Sequence, residues 1–327
     1  MSKILTNIPL LWHNVFVRKL LFPAAFCFSL IGLSEAQDTR EATSLLGKPL
    51  YAPELTAEER VELEKNLVKA KSDYAQQQNA DALIWVGRRT AYLGRFRDAI
   101  DIFSEGIEKY PNDPRFYRHR GHRYLSIRAI DKAITDFEKA RRLIQERPDE
   151  IEPDGIPNAR NIPRSTIKSN IWYHLGLAHY LKGDFDKAER AYKECLNFSK
   201  NDDMLVATSH WLYMALRRSG KKEEANEVLE PIHEKMDIIE DADYYALLLL
   251  YKGLKTPEAL LQQRAADLSN VTIGYGVGNW YLYNGDKEKA FQIFKRVLES
   301  PLWPAFGYLA AEAELARSAV TLKLTRN

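Results

Sequence analysis

From residue 80 onward, apolar positions recur every three or four residues in short runs, and each run breaks at a polar turn. That spacing predicts amphipathic helices in antiparallel pairs. The clearest pair lies in 171–196, IWYHLGLAHYLKGDFDKAERAYKECL. Trp172, Leu175 and Tyr180 share one face of a first helix over 169–181. Tyr192, Leu196 and Phe198 share one face of a second over 185–198. Lys182-Gly183-Asp184 is the turn: Gly183 can take a positive φ and end the first helix, and Asp184 can cap the second. Gly176 and Ala188 are small and allow the helices to approach closely. Such a pair cannot bury its apolar faces alone, so it predicts neighbours stacked on it.

Copies with the same offsets are present. Gly87, Gly94, Ala99, Phe103 and Pro111 mark a first, and Tyr117, Gly121, Tyr124, Ala133, Phe137 and Ala140 a second. After the copy at 171–196, Gly220, Ala225 and Leu229 mark a fourth, and Gly278, Gly285, Ala290 and Phe294 a sixth. The fifth is the loosest: it keeps Gly253 and has one residue too many before Ala259.

These residues resemble the tetratricopeptide repeat (TPR), a helix–turn–helix unit of about 34 residues. The resemblance runs over 80–304. It implies an all-α, right-handed superhelical solenoid of about six repeats with terminal capping helices. It also implies that first helices line a concave groove that accepts a peptide or a partner helix.

The ends read differently. Arg18 and Lys19 precede an apolar run over 20–33, interrupted by Pro23 and Ser29 and followed by Ser34-Glu35-Ala36. That pattern predicts a signal peptide over 1–36 with cleavage after Ala36, and export to the periplasm or outside the cell. The rival reading is a retained membrane anchor; the run is shorter than the roughly 20 residues a spanning helix needs, which favours cleavage, and no membrane span is expected after it. Bulky Phe26 before Cys27 argues against a lipid anchor there. Residues 37–53 are polar, with Gly47, Pro49 and Pro53, and read as a tether. Thr56 with Glu59 forms a capping box for a helix that carries Val61, Leu67 and Val68 and completes an N-terminal capping segment, 37–79. The repeats divide into 80–147 and 169–304, and 305–327 is the C-terminal capping helix.

Between the second and third repeats lies 148–168, PDEIEPDGIPNARNIPRSTIK, where Pro148, Pro153, Pro157 and Pro163 forbid a regular helix. A connection this long is uncommon inside a repeat array. It is either a passive surface insertion or a segment folded against the superhelix.

Charged residues make up 28% of the chain and nearly balance, with a formal net charge of +2. That argues against a general nucleic-acid binder, which carries a pronounced basic excess. After cleavage Cys195 is the one cysteine left, which excludes an internal disulfide and reads as a core thiol. His119 and His122 sit three apart, but flanking arginines would repel a divalent cation and no third ligand is at hand, so no metal is expected. Gly274-Tyr-Gly-Val-Gly278 follows no strand and lacks the Lys-Ser/Thr of a phosphate loop. No catalytic constellation and no cofactor site can be assembled.

One stretch carries more information. Residues 115–128, RFYRHRGHRYLSIR, hold five arginines, two histidines and no acid. In the repeat register Arg88, Arg118, His119 and His122 point into the groove, joined by Tyr173 and His174 from the next unit. Guanidinium forks suit carboxylate or phosphate, so the favoured partner is an acidic protein or peptide. The competing reading pairs these arginines with Asp98, Asp101 and Asp136 on neighbouring helices. The Lys/Asn carboxylate clamp of some TPR proteins is not matched, because Ile84 and Arg88 stand where it would begin. The chain thus reads as a non-enzymatic interaction scaffold. The alternative is an envelope enzyme or accessory subunit with a small-molecule pocket near 148–168.

Overall fold

The computed structural model describes residues 40–262 and 267–324. The segment read as a signal peptide, with its cleavage site, lies outside the described residues. Within them are six helical hairpins: α2/α3 (Ala80–Tyr92, Phe96–Lys109), α4/α5 (Pro114–Ser126, Ile130–Ile144), α6/α7 (Ile167–Lys182, Phe185–Leu196), α8/α9 (Asp202–Arg218, Lys222–Val228), α10/α11 (Ala242–Tyr251, Pro257–Gln262) and α12/α13 (Asp267–Tyr283, Lys287–Val297). Each packs on the next, as a helical-repeat superhelix requires. The small positions act as expected. A Cβ on Gly176 would fall 2.8 Å from the Tyr192 ring, and one on Gly121 2.8 Å from Phe137. Ala188, facing the same kind of approach, is wholly buried.

Five hairpin turns carry a glycine at positive φ, namely Gly94, Gly183, Gly220, Gly253 and Gly285. In the second repeat Arg128 takes that slot, with φ 67°. A side chain in this conformation is strained, and the C-terminal helix explains why it is kept.

That helix, α14 (Phe306–Leu324), covers α13 as an end cap would, and it also reaches back to α12 and α6. Residues 307–314 are all buried. Eight successive residues exceed two helical turns, so every face of this stretch is covered by protein. Two carboxylates inside it meet cations from the repeats. Glu312 pairs with Arg128 at 2.8 Å, with the Arg128 side chain 4% and the Glu312 side chain 1% exposed. Glu314 pairs with Arg218 at the end of α8. Arg128 also donates to Trp303 O (3.0 Å) and lies over the Trp303 ring. The strained turn residue therefore anchors the last helix to the second repeat.

The segment read as a tether is instead a hairpin of two short antiparallel strands, β1 (Arg40–Thr43) and β2 (Pro49–Tyr51). Ala42 and Leu50 are buried. Glu41 accepts from Arg97 N at 3.0 Å, Trp303 Nε1 donates to Tyr51 O at 2.8 Å, and Leu45 N donates to Glu312. Both ends of the described chain thus meet.

The capping box that opens α1 (Ala57–Gln76) is formed as expected, Glu59 N to Thr56 Oγ1 at 3.1 Å and Thr56 N to Glu59 Oε2 at 2.9 Å. Its buried stripe differs from expectation. Val61 and Val68 are exposed, and Leu67 and Ala70, with part-buried Leu63 and Tyr74, face α2.

Residues 148–168 fold against the repeats. Their ends join through a bridge between Ile151 and Thr166, with Glu152 N donating to Ser165 O at 3.1 Å. Arg89 reaches Gly155 O at 2.9 Å, and Arg164 pairs at 2.8 Å with Asp203, whose side chain is wholly buried. Of the two readings of this segment, the packed one matches the structure.

Candidate functional site

The six residues singled out on first helices come together in one region. Arg88 from α2 and Arg118, His119 and His122 from α4 line a cavity of about 130 Å³, with Arg123, Tyr92 and Glu152. His122 and His174 approach to 4.5 Å between ring centroids. Tyr173, His174 and His122 surround Phe306 at 5.5–6.3 Å. This region is not an open groove. Phe306 of α14 fills one part, and the 148–168 segment closes the other.

Glu152 is the occupant the cavity already has. The bridge at Ile151 turns it inward, and it is 8% exposed. It accepts from Arg118 Nη2 at 3.1 Å and from Asn170 Nδ2 at 3.0 Å. Arg118 Nη1 lies 3.0 Å from His119 Nδ1. Guanidinium only donates, so His119 Nδ1 is the acceptor and the proton sits on Nε2, which faces Glu152 at 3.8 Å. In His174 the roles reverse: Nδ1 donates to Asn170 O at 2.6 Å. Burial, then the neighbouring guanidiniums, hold His119, His122 and His174 well below the usual histidine range. All three are neutral at pH 7 and supply shape and hydrogen bonds rather than charge.

The remaining arginines of 115–128 divide between pairing and isolation. Arg120 holds Asp136 at 2.8 Å, as the pairing reading expects, and Arg115 holds Asp113 at 2.6 Å. Asp98 and Asp101 take none of them among the described ion pairs. Arg123 lies over the Phe96 ring at 5.4 Å and makes no ion pair with a described carboxylate. Burial and repulsion from Arg118 and Arg88 pull it down to about 10. The sequence reading missed Arg123 and Glu152. A signal for Glu152 existed, since the acid-rich PDEIEPD borders repeats whose own first helix has no acid.

At the mouth of this region Glu240, Asp241 and Asp243 line a second cavity of about 290 Å³ with Tyr244 and Phe306. Asp203 beneath them accepts N–H groups from Ile239, Glu240 and Asp241 at 2.8–3.2 Å. Burial works to raise the Asp203 carboxyl, and these bonds with Arg164 outweigh it, so it lies below the usual range. Asp241 has no such support. Burial first, and then Asp203 and Glu240, push it up to about 7. A carboxyl raised in the folded state favours folding when protonated, and that contribution is lost as pH rises from about 4 through 7. Asp241→Asn is therefore expected to raise the melting temperature at pH 8 and to leave it unchanged at pH 4. Equal effects at both pH values in thermal melts would contradict this.

The outer side offers a larger opening. Two adjoining cavities of about 300 and 470 Å³ share Arg141, Trp172 and Glu194. They form one groove between α5 and α7, floored by α6. Trp172 is part-exposed in it, with the Arg141 guanidinium 5.5 Å from its ring. Leu175, Phe198 and Ile144 add apolar surface. Arg141, Lys168, Lys187, Arg190 and Lys193 face it; Arg141 pairs with Glu138, Lys187 with Asp184, and Lys193 with Glu189 and Glu224, so Lys168 and Arg190 stand outside the described ion pairs, beside Glu194. His179 lines this outer groove, whereas His174 faces inward.

The thiol of Cys195 is wholly buried and pushed up to about 12, by burial before any other cause. Among the described residues, no helix is long and apolar enough to cross a membrane.

A tetratricopeptide-repeat family model matches residues 169–202, which cover α6, α7 and the start of α8. The BBSome complex member BBS4 of Bos taurus is 28% identical over 139 residues. That match covers 42% of this chain and 22% of the relative, about a fifth of its length. Among solved structures, YrrB, a TPR protein with an unusual peptide-binding site, is 15% identical with a TM-score of 0.41, over 77% of this chain and 97% of its own. A tetratricopeptide repeat protein from Parabacteroides merdae is 14% identical with a TM-score of 0.46, over 78% and 93% of the two chains. Residues 169–202 thus match a tetratricopeptide repeat, and five further helical hairpins stack around them in the same array.

Proposed function

We propose that the chain is a non-enzymatic scaffold that binds an acidic segment of a partner protein in the outer groove around Trp172. A repeat solenoid of this kind supports protein–protein interaction. The inner groove, where a peptide or partner helix was expected, already holds α14 and Glu152 of the chain itself. The observation that carries the reading is Trp172, a part-exposed aromatic on the floor of an open groove, with Lys168 and Arg190 outside the described ion pairs along its walls. Tryptophan and arginine are the residues on which interface energy concentrates. Charge on the rim favours an acidic partner and speeds its encounter.

The test compares immobilised parent, Trp172→Ala, Arg190→Glu and, as a control on the exposed face of α1, Lys65→Glu, after circular dichroism shows each folded. Incubated with extract of the source cells, the parent and the control should retain the same partner. Trp172→Ala should weaken it by about 2 kcal/mol, roughly 30-fold. A partner held equally by Trp172→Ala and Arg190→Glu would sink the outer-groove reading.

Export is a separate proposal. It is supported by the basic, apolar and small-residue order of 18–36. N-terminal sequencing of protein from an envelope fraction tests it: a start at Gln37 supports cleavage, and a start at Met1 overturns it.

A further inference from the structure

The cavity beneath the 148–168 segment is short of negative charge. Arg88, Arg118 and Arg123 line it, and Glu152 is its one lining carboxylate. The lining histidines, His119 and His122, are neutral, so three cations against one anion leave +2. Asp154 lies near enough to Arg88 to feel its charge without lining the cavity, and it offsets one unit of that excess. Arg118 is 8% exposed, yet its Nε has neither solvent nor a hydrogen-bond partner. Arg88 donates to Tyr92 Oη at 3.3 Å and stacks on Trp85, and it makes no ion pair with a described carboxylate. The Tyr92 hydroxyl accepts there, which leaves its own proton free to donate. A buried guanidinium N–H without an acceptor, as at Arg118, is costly, and three guanidiniums lining one space repel each other.

We propose that this cavity binds a small dianionic inorganic oxyanion, phosphate or sulfate, held by Arg88, Arg118 and Arg123 beside Glu152. Guanidinium forks match the oxygen spacing of such anions. The volume of about 130 Å³ leaves room for one tetrahedral anion. Arg88, Tyr92 and Arg123 are part-exposed and form the opening to solvent. Arg118 and Tyr92 line the cavity and supply a charged and a neutral donor. The inference does not depend on the outer groove.

Isothermal titration calorimetry of the full chain at pH 7.5 tests it, with inorganic phosphate and sulfate as probes. Phosphate or sulfate should bind saturably to the parent. Arg88→Gln and Arg123→Gln should each weaken binding roughly tenfold or more. Glu152→Gln should tighten it, because the competing carboxylate is gone, and a merely damaged fold would not tighten. The assignment is overturned if folded parent protein shows no saturable binding of phosphate or sulfate at millimolar concentration. It is equally overturned if Arg88→Gln binds like the parent or if Glu152→Gln binds more weakly.

Discussion

Arg128→Gly should destabilise the protein by about 3–5 kcal/mol, although glycine is the residue that five other turns place at this slot. Two effects oppose each other. Glycine relieves the positive φ, which is worth roughly 1–2 kcal/mol. Against that, removing the guanidinium leaves Glu312 charged, nearly unexposed and without its cation. It also removes the donor to Trp303 O and the cation over the Trp303 ring. The buried charge decides the sign. Urea unfolding of the parent, Arg128→Gly, Glu312→Gln and the double variant separates the terms. The double variant should recover much of the loss, because the substituted glutamine is neutral and its amide oxygen can still accept from Leu45 N. A single variant as stable as the parent would mean that α14 is not anchored through this pair.

Ala188→Arg should cost at least as much. Ala188 is wholly buried in the closely packed third hairpin, where Gly176 sits against the Tyr192 ring. Overpacking alone costs about 1–3 kcal/mol, and a guanidinium without a partner adds its desolvation. Helical circular dichroism during heating should show a melting temperature several degrees lower. An unchanged melting temperature would place Ala188 outside the packed contact between α6 and α7.

The hairpins were legible because the repeat states each one several times. Small residues at Gly87, Gly121, Gly176 and Gly278 meet a ring of the paired helix, as their spacing implied. Local elements without that redundancy were not. The strands at Arg40–Thr43 and Pro49–Tyr51 bury few side chains, and so short a stretch carries no alternation to read. On α1 two apolar stripes compete, Val61 with Val68 and Leu63 with Leu67, Ala70 and Tyr74. The choice belongs to α2, which packs against the second. The inward direction of Arg88, Arg118, His119, His122, Tyr173 and His174 was legible from the register. What covers them was not, because it comes from distant segments. Phe306 lies more than a hundred residues beyond His174, and no local pattern names the distant segment it covers. The departure of Arg128 from the glycine rule was visible in the sequence, and Glu312 and Glu314 within an apolar helix were its matching signs.

The meeting of the two ends sets an order in time. A solenoid whose repeats touch only their neighbours can assemble as it leaves the ribosome, one hairpin after another. Here the N-terminal hairpin emerges first, and its partners, the Trp303 donor and the Glu312 acceptor, emerge more than two hundred residues later. At ~5–20 residues per second, Tyr173 and His174 wait at least about six seconds for Phe306, and Arg128 at least about nine for Glu312. During synthesis, therefore, the nascent chain presents to the cell's chaperones an apolar and basic surface that the finished protein hides.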